Sequence, residues 1–118
     1  MDTNPHYFDA ISTILQKSSK SKVKLTVTGQ SMYPTLLDGQ IIEVECFNGD
    51  PKQINIGDII VYKAYKTTKH KKHYIIHRVS FVFSIFKHYF FITKGDNNSK
   101  KDHRIVSSSD IVAVLNNY

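Results

Sequence analysis

The chain has 118 residues, 41% of them apolar, with 16 Lys+Arg against 10 Asp+Glu and a formal charge of +6. That length allows one domain around one core and is too short for two, burying roughly 65% of the surface its unfolded form exposes. The single cysteine, Cys46, excludes an internal disulfide framework. No apolar run approaches the roughly 18 residues that a spanning helix needs. The amino terminus lacks the basic-then-apolar layout of a secretory signal, so a soluble, cytoplasmic protein is expected, with peripheral membrane contact as the alternative. The positive charge favours acidic partners without choosing among nucleic acid, anionic lipid and acidic peptides.

Asn4 followed by Pro5 marks a helix start, because Asn caps orphan amides and proline at the first helical position loses no needed hydrogen bond. Tyr7, Phe8, Ile11, Ile14 and Leu15 then recur at spacings of three and four, which predicts an amphipathic helix over 5–17 docked on the rest of the domain. KSSKSK, residues 17–22, reads as a polar linker. From Val23 the period changes to two: Val23, Leu25 and Val27 alternate with Lys24, Thr26 and Thr28, as in a half-buried strand. Further strands are expected at Ile41 to Val44 after the Asp38-Gly39 turn, and at Ile59 to Tyr62 after Gly57-Asp58. Lys63, Lys66, Lys69, Lys71 and Lys72 follow without an acid; the run reads as a solvated hairpin connection, or more sharply as a guide for an acidic substrate or anionic membrane. Tyr74 to Val79, an aromatic hairpin of Phe81 to Phe86 with Tyr89 to Thr93 that supplies core, and Ile111 to Leu115 complete the set. Six or seven strands and one short helix predict a mainly β domain, a strongly curved, barrel-like antiparallel sheet with its body over 23–115.

Three segments carry chemistry. In Gly29-Gln30-Ser31-Met32-Tyr33-Pro34 a serine leaves a strand in a turn, where its hydroxyl and backbone amide can serve as nucleophile and oxyanion donor. Alone this is an ordinary loop composition. His77, in Ile75-Ile76-His77-Arg78-Val79, is by itself more simply a satisfied structural histidine. Lys94-Gly95-Asp96-Asn97-Asn98, with Asp102-His103-Arg104 after it, reads by itself as a turn. Together they supply the nucleophile, base and orienting acid of a hydrolase. His70, His73, His77 and His103 form the one histidine grouping to weigh as a metal site; they lack a CxxC or HExxH companion, and neither metal nor other cofactor is expected.

GQSMYPTL, INIGDIIVY, IIHRV and TKGDNN, in that order and closed by DIVAVL, resemble the successive sequence boxes of the signal peptidase I family of serine peptidases. The resemblance covers about Val23 to Leu115. It implies Ser31 as nucleophile and His77 as general base, at the position where the usual bacterial enzymes carry lysine, as in the Ser-His branch of the endoplasmic reticulum, archaea and some Gram-positive bacteria. Histidine suits that role because imidazole is ordinarily basic near neutral pH. Asp96 and Asp102 compete to orient His77. Asp102 is taken as the third triad member and Asp96 as the acid that ties down its own loop.

Two departures from the family pattern stand out. Gly29 occupies the position, two before the nucleophile, where many relatives carry a serine that helps form the oxyanion hole; the Ser31 amide is then one donor, and the Thr28 hydroxyl or a nearby amide the other. Relatives also carry a transmembrane helix before the serine box, where this chain has the short segment 5–17. The expected enzyme is therefore a soluble serine endopeptidase that removes a leader or signal segment from a peptide or protein precursor in trans, with a recruiting protein as a further partner. Self-cleavage as in related repressors is not expected, because neither Ala-Gly nor Cys-Gly occurs. Met32, Tyr33 and Ile59, Ile60, Val61 and Tyr62 are expected to border a groove to which an extended peptide adds as a strand. The competing reading from another class is a noncatalytic basic β module binding nucleic acid or peptides, which leaves the ordered boxes unexplained.

Overall fold

Alternating apolar and polar residues build the sheet, and turn-forming residues cut it into strands. The computed structural model describes residues 22–66 and 71–115, which form β1 (Lys22–Thr26), β2 (Ile41–Cys46), β3 (Ile59–Lys66), β4 (Lys71–Ile85), β5 (His88–Lys94), β6 (Ile105–Ser107) and β7 (Ile111–Leu115). The helix expected over 5–17, the linker before Lys22 and Lys69 of the lysine run lie outside the described residues. The seven strands make one antiparallel sheet in the order β1-β2-β7-β3-β4-β5-β6, which does not close, so β1 and β6 are its edges.

The expected strands differ from the observed ones in three places. β3 and β4 extend into the lysine run, pairing as far as Lys66 with Lys71, because ladder hydrogen bonds continue where side-chain polarity would end a strand. Tyr74 to Val79 and Phe81 to Phe86 are not separate strands: β4 runs through both, with a register shift between Val79 and Phe81 and the Ser80 hydroxyl donating to the Ile92 carbonyl at 3.0 Å. β6, three residues long, is too short to show a period in sequence.

Burial follows the alternation. Val23 and Leu25 of β1, and Ile111, Ala113 and Leu115 of β7, are buried while their neighbours are not. β3 is central, paired with β4 on one side and β7 on the other, and side chains pack against both of its faces. Its Ile59 and Val61 join an apolar cluster with Leu25, Ile42, Val44 and Tyr74; its Ile60 and Tyr62 join a second with Val79, Phe91 and Val106. The expectation of one core is thus corrected to two clusters, one on each face of a single sheet. Each large side chain so buried contributes about 1.5–3 kcal/mol.

The sheet is curled. β1 and β4 stand four places apart in strand order, about 19 Å in a flat sheet. Nevertheless Leu25 and Val27 share one groove with Tyr74, Ile76 and His77. This curl brings the serine turn at the end of β1 against the middle of β4.

Candidate active site

The serine turn is held at both ends. Beyond β1, the Val27 amide donates to the Gln40 carbonyl at 2.8 Å and the Gly39 amide to the Val27 carbonyl at 2.7 Å. Gly29 then takes a φ of +87°, a left-handed conformation that glycine adopts without cost, and its amide donates to Asp38 Oδ1 at 2.8 Å. A short helical turn follows, in which the Leu36 amide donates to the Met32 carbonyl at 2.9 Å. Met32 is 1% exposed and pins the turn to the core; its sulfur accepts the Asp96 amide at 3.3 Å. The Gly95–Asn98 loop is clipped to the same turn, with the Asn97 amide donating to the Ser31 carbonyl at 2.8 Å and its Nδ2 to the Gln30 carbonyl at 3.1 Å.

His77 projects from β4 and is 8% exposed. Its Nε2 lies 3.1 Å from Ser31 Oγ and its Nδ1 lies 2.6 Å from Asp102 Oδ2. Asp102 arrives by the loop after β5, fastened by its amide to the Thr93 carbonyl at 2.8 Å. The same Oδ2 accepts the Thr93 hydroxyl at 2.6 Å and the Tyr62 hydroxyl at 3.3 Å. Burial pushes the Tyr62 phenol up to about 12, with the Asp102 charge acting in the same direction, so Tyr62 remains a neutral donor.

Asp96 is engaged elsewhere. Arg78 donates to it from Nε at 2.9 Å and from a terminal nitrogen at 2.7 Å, and the Thr35 hydroxyl donates at 2.5 Å. Arg78 also donates to the Gly57 carbonyl at 2.7 Å, so one guanidinium ties two loops together and Asp96 joins the serine turn to them through Thr35. Its hydrogen bonds hold the Asp96 carboxyl below its ordinary range, and Asp96 in turn raises the guanidinium.

A groove of about 220 Å³ runs between β1 and the first half of β4 and ends at Ser31 and His77. Thr28, expected as an oxyanion donor with Ser31, lines it as well. Of the residues expected to border substrate, Val61 lines the groove, while Tyr33 is 49% exposed and does not. Met32, Ile59, Ile60 and Tyr62 are 0–1% exposed and are not among the residues that line this groove. His73 lines the groove beside His77, His103 is exposed, and His70 lies outside the described residues.

Three sets of contributors escaped the sequence reading. Leu25, Val27, Tyr74 and Ile76 were legible as strand residues but not as groove walls, since nothing local says what a strand face meets. Thr93 and Tyr62 were legible as strand residues, not as donors to Asp102. Gly95 sits where a side chain would collide with Ser31 and His77, and its place directly before Asp96 was the available signal.

Serine hydroxyl, imidazole and carboxylate thus form one hydrogen-bonded chain at the end of an apolar-walled groove, an arrangement with the parts for acyl transfer. A family model described as "Signal peptidase, peptidase S26" matches residues 10–80, more than half of the chain, and the chain belongs to that family. The family is one of peptidases, so a peptide or precursor protein is the implied substrate. The matched region contains Ser31 and His77 and stops before Gly95, Asp96 and Asp102. A search of curated proteins finds no match. Among the described residues no helix is long and apolar enough to cross a membrane.

Proposed function

We propose that this chain is a serine endopeptidase that cleaves a leader or signal segment from a precursor in trans, with Ser31, His77 and Asp102 as its triad. The observation that carries the reading is the unbroken chain from Ser31 Oγ to His77 Nε2 at 3.1 Å and from His77 Nδ1 to Asp102 at 2.6 Å. Asp102 accepts a hydrogen bond from Nδ1–H, which keeps that proton on Nδ1 and leaves the Nε2 lone pair toward the serine. Nε2 takes the hydroxyl proton as Ser31 Oγ attacks the scissile carbonyl, then gives it to the departing amine. Water repeats the sequence on the acyl-enzyme. Positioned proton transfer of this kind contributes about 10²- to 10⁴-fold.

The groove supports an extended substrate. Among the described residues β1 pairs with β2 alone, and the groove lies between β1 and β4. A peptide entering it as a strand meets Leu25, Val27, Val61 and Ile76, which favour small or apolar side chains before the cut. Mass spectrometry of candidate precursor peptides incubated with wild type and with Ser31→Ala tests the proposal. Cleavage at a defined bond, lost in Ser31→Ala, is the expected result. Cleavage that persists in Ser31→Ala overturns the assignment, and salt-sensitive binding of single-stranded nucleic acid without any cleavage favours the noncatalytic module.

A further inference from the structure

Charge is unevenly distributed along the groove. β1, β3 and β4, which supply its walls, contain no Asp or Glu, and from Ile59 to Gly95 the chain carries none. Going away from Ser31 and His77, each of the three strands adds a basic residue. The β3–β4 register pairs Ile60 with His77, Lys63 with Tyr74 and Ala64 with His73, so β3 runs away from the site as β4 runs toward it. Lys63 lies two residues past Val61 and on the same face; Val61 and Tyr74 both line the groove. His73 lines it as well. On the β1 side, alternation puts Thr28, Thr26 and Lys24 in one row, in which the threonines line the groove and the exposed Lys24 comes next. Measured along β4 from His77, Lys63 stands level with the third residue and His73 is the fourth, about 10 and 13 Å in a strand.

The acids nearest this end are placed elsewhere. Glu43 and Glu45 stand opposite Lys24 and Lys22 on β2, on the side of β1 away from the groove. Asp110, which precedes β7, lies 3.5 Å from Arg104 and accepts the Ser107 amide at 3.4 Å. Neither Lys24 nor Lys63 lies in an ion pair among the described residues. Beyond the lining residues, β3 closes with Lys66 and β4 opens with Lys71 and Lys72, so the basic character of the chain increases with distance from the cut.

A groove with apolar walls near the nucleophile and cations at its far end fits a chain that is apolar at the cut and acidic farther back. An imidazole carries at least one N–H, so His73 adds a donor suited to a carboxylate. We propose, on the reading that the segment before the cut lies in this groove, that the preferred precursor carries Asp or Glu three to five residues before the scissile bond, selected by Lys63, Lys24 and His73. The position follows from the rise of an extended peptide, about 3.3 Å per residue, over the 10–13 Å that separate these residues from the level of His77.

Peptides of alanine and valine in which Glu, Gln or Lys is stepped one position at a time along the chain test this, with kcat/KM read from product masses. Glu three to five residues before the cut should exceed Gln about fivefold, the upper end for one exposed ion pair, and Lys should fall below Gln. The difference should vanish at about 1 M salt, where charges are screened within about 3 Å. Lys63→Glu and Lys24→Glu should each shift the ratio of Glu to Lys peptides toward Lys, a change in preference that a partly unfolded sample does not produce. His73→Leu should lower the ratio of Glu to Gln peptides about threefold. Equal turnover of the three peptides overturns the proposal, as does a Glu preference that survives both lysine reversals or that arises only after the cut. Fluorescence anisotropy of the same peptides on the Ser31→Ala chain separates binding from chemistry. Glu-selective binding there, without cleavage by the wild type, leaves the acidic preference of the groove standing and overturns the proposed catalysis. Binding of single-stranded DNA or of phosphatidylserine vesicles that is lost in Lys63→Glu and Lys24→Glu, with no discrimination among the peptides, overturns the inference in favour of a different anionic partner.

Discussion

Replacing Gly95 with alanine tests whether the serine turn and His77 work at their observed separation. A Cβ at Gly95 would stand 2.7 Å from the Ser31 carbonyl oxygen, 2.7 Å from Asn98 Nδ2 and 3.0 Å from His77 Nε2, where ordinary contact begins at 3.4 Å. The Asn98 amide is the end of a side chain and can swing away. The Ser31 carbonyl is held by the Asn97 amide at 2.8 Å and cannot move alone. Relief therefore requires displacements of about 0.7 Å in the serine turn and about 0.4 Å in the imidazole, judged against the 3.4 Å contact distance. Together they disturb the 3.1 Å contact between Ser31 Oγ and His77 Nε2. A misplacement approaching 1 Å costs about 10²-fold in turnover, and overpacking costs about 1–3 kcal/mol in stability. The assay is kcat/KM on a cleaved peptide, with circular dichroism and a thermal melt to verify folding. Gly95→Ala that folds and retains activity within about twofold of wild type refutes the reasoning.

Asp102→Asn should reduce kcat about 10⁴-fold with the fold preserved, because the imidazole loses the acceptor that orients it; Asp96→Asn should keep its chemistry, and the reverse outcome makes Asp96 the triad acid. Asp96→Asn should instead lower stability by about 2 kcal/mol, the scale of a charge-assisted hydrogen bond. The Asp96 carboxyl is held below its ordinary 3.8, so its contribution is present above that value and is lost as pH falls through the lowered one; acid titration of denaturation midpoints should show a flatter acid limb in Asp96→Asn. Thr93→Val should lower kcat more than Tyr62→Phe does, since Thr93 donates to Asp102 at 2.6 Å and Tyr62 at 3.3 Å. Both should leave KM unchanged, because neither residue lines the groove. The Tyr62 phenol is raised from 10.0 to about 12, so its contribution to stability is present below pH 10 and is lost as pH rises toward 12; melts across that range should show a smaller alkaline loss in Tyr62→Phe.

Alternation and turn residues were enough to find β1, β2, β3, β5 and β7, because a strand buried on one face shows its period directly. The same rule failed at β4. The register shift at Ser80 reverses which residues face the core, so Val79 and Val82 both point inward, and in sequence the change of phase looks like a break between two strands. Met32, Ile59, Ile60 and Tyr62 are nearly fully buried, which proximity in sequence to the serine box or to a turn does not reveal: β3 is central and its faces are both closed.

At the site, residue type and order named Ser31, His77 and two acids, because nucleophile, base and acid must be those side chains wherever they sit. The choice between Asp96 and Asp102 was not legible in composition. It depends on which carboxylate Arg78 and Thr35 engage and which one Thr93 and Tyr62 steer to His77, and those partners lie on four different strands and loops.

The sequence alone determined a basic, mainly β chain with a serine turn, an apolar-flanked histidine and an acid-bearing loop. Periodicity and residue chemistry are local properties that every stretch of chain carries with it. Only the tertiary structure decided that the sheet curls until β1 faces β4 and that its two faces form separate cores. Those outcomes depend on which strands pair and how far the sheet bends, and pairing joins residues such as Ile59 and Leu115 that no local window contains.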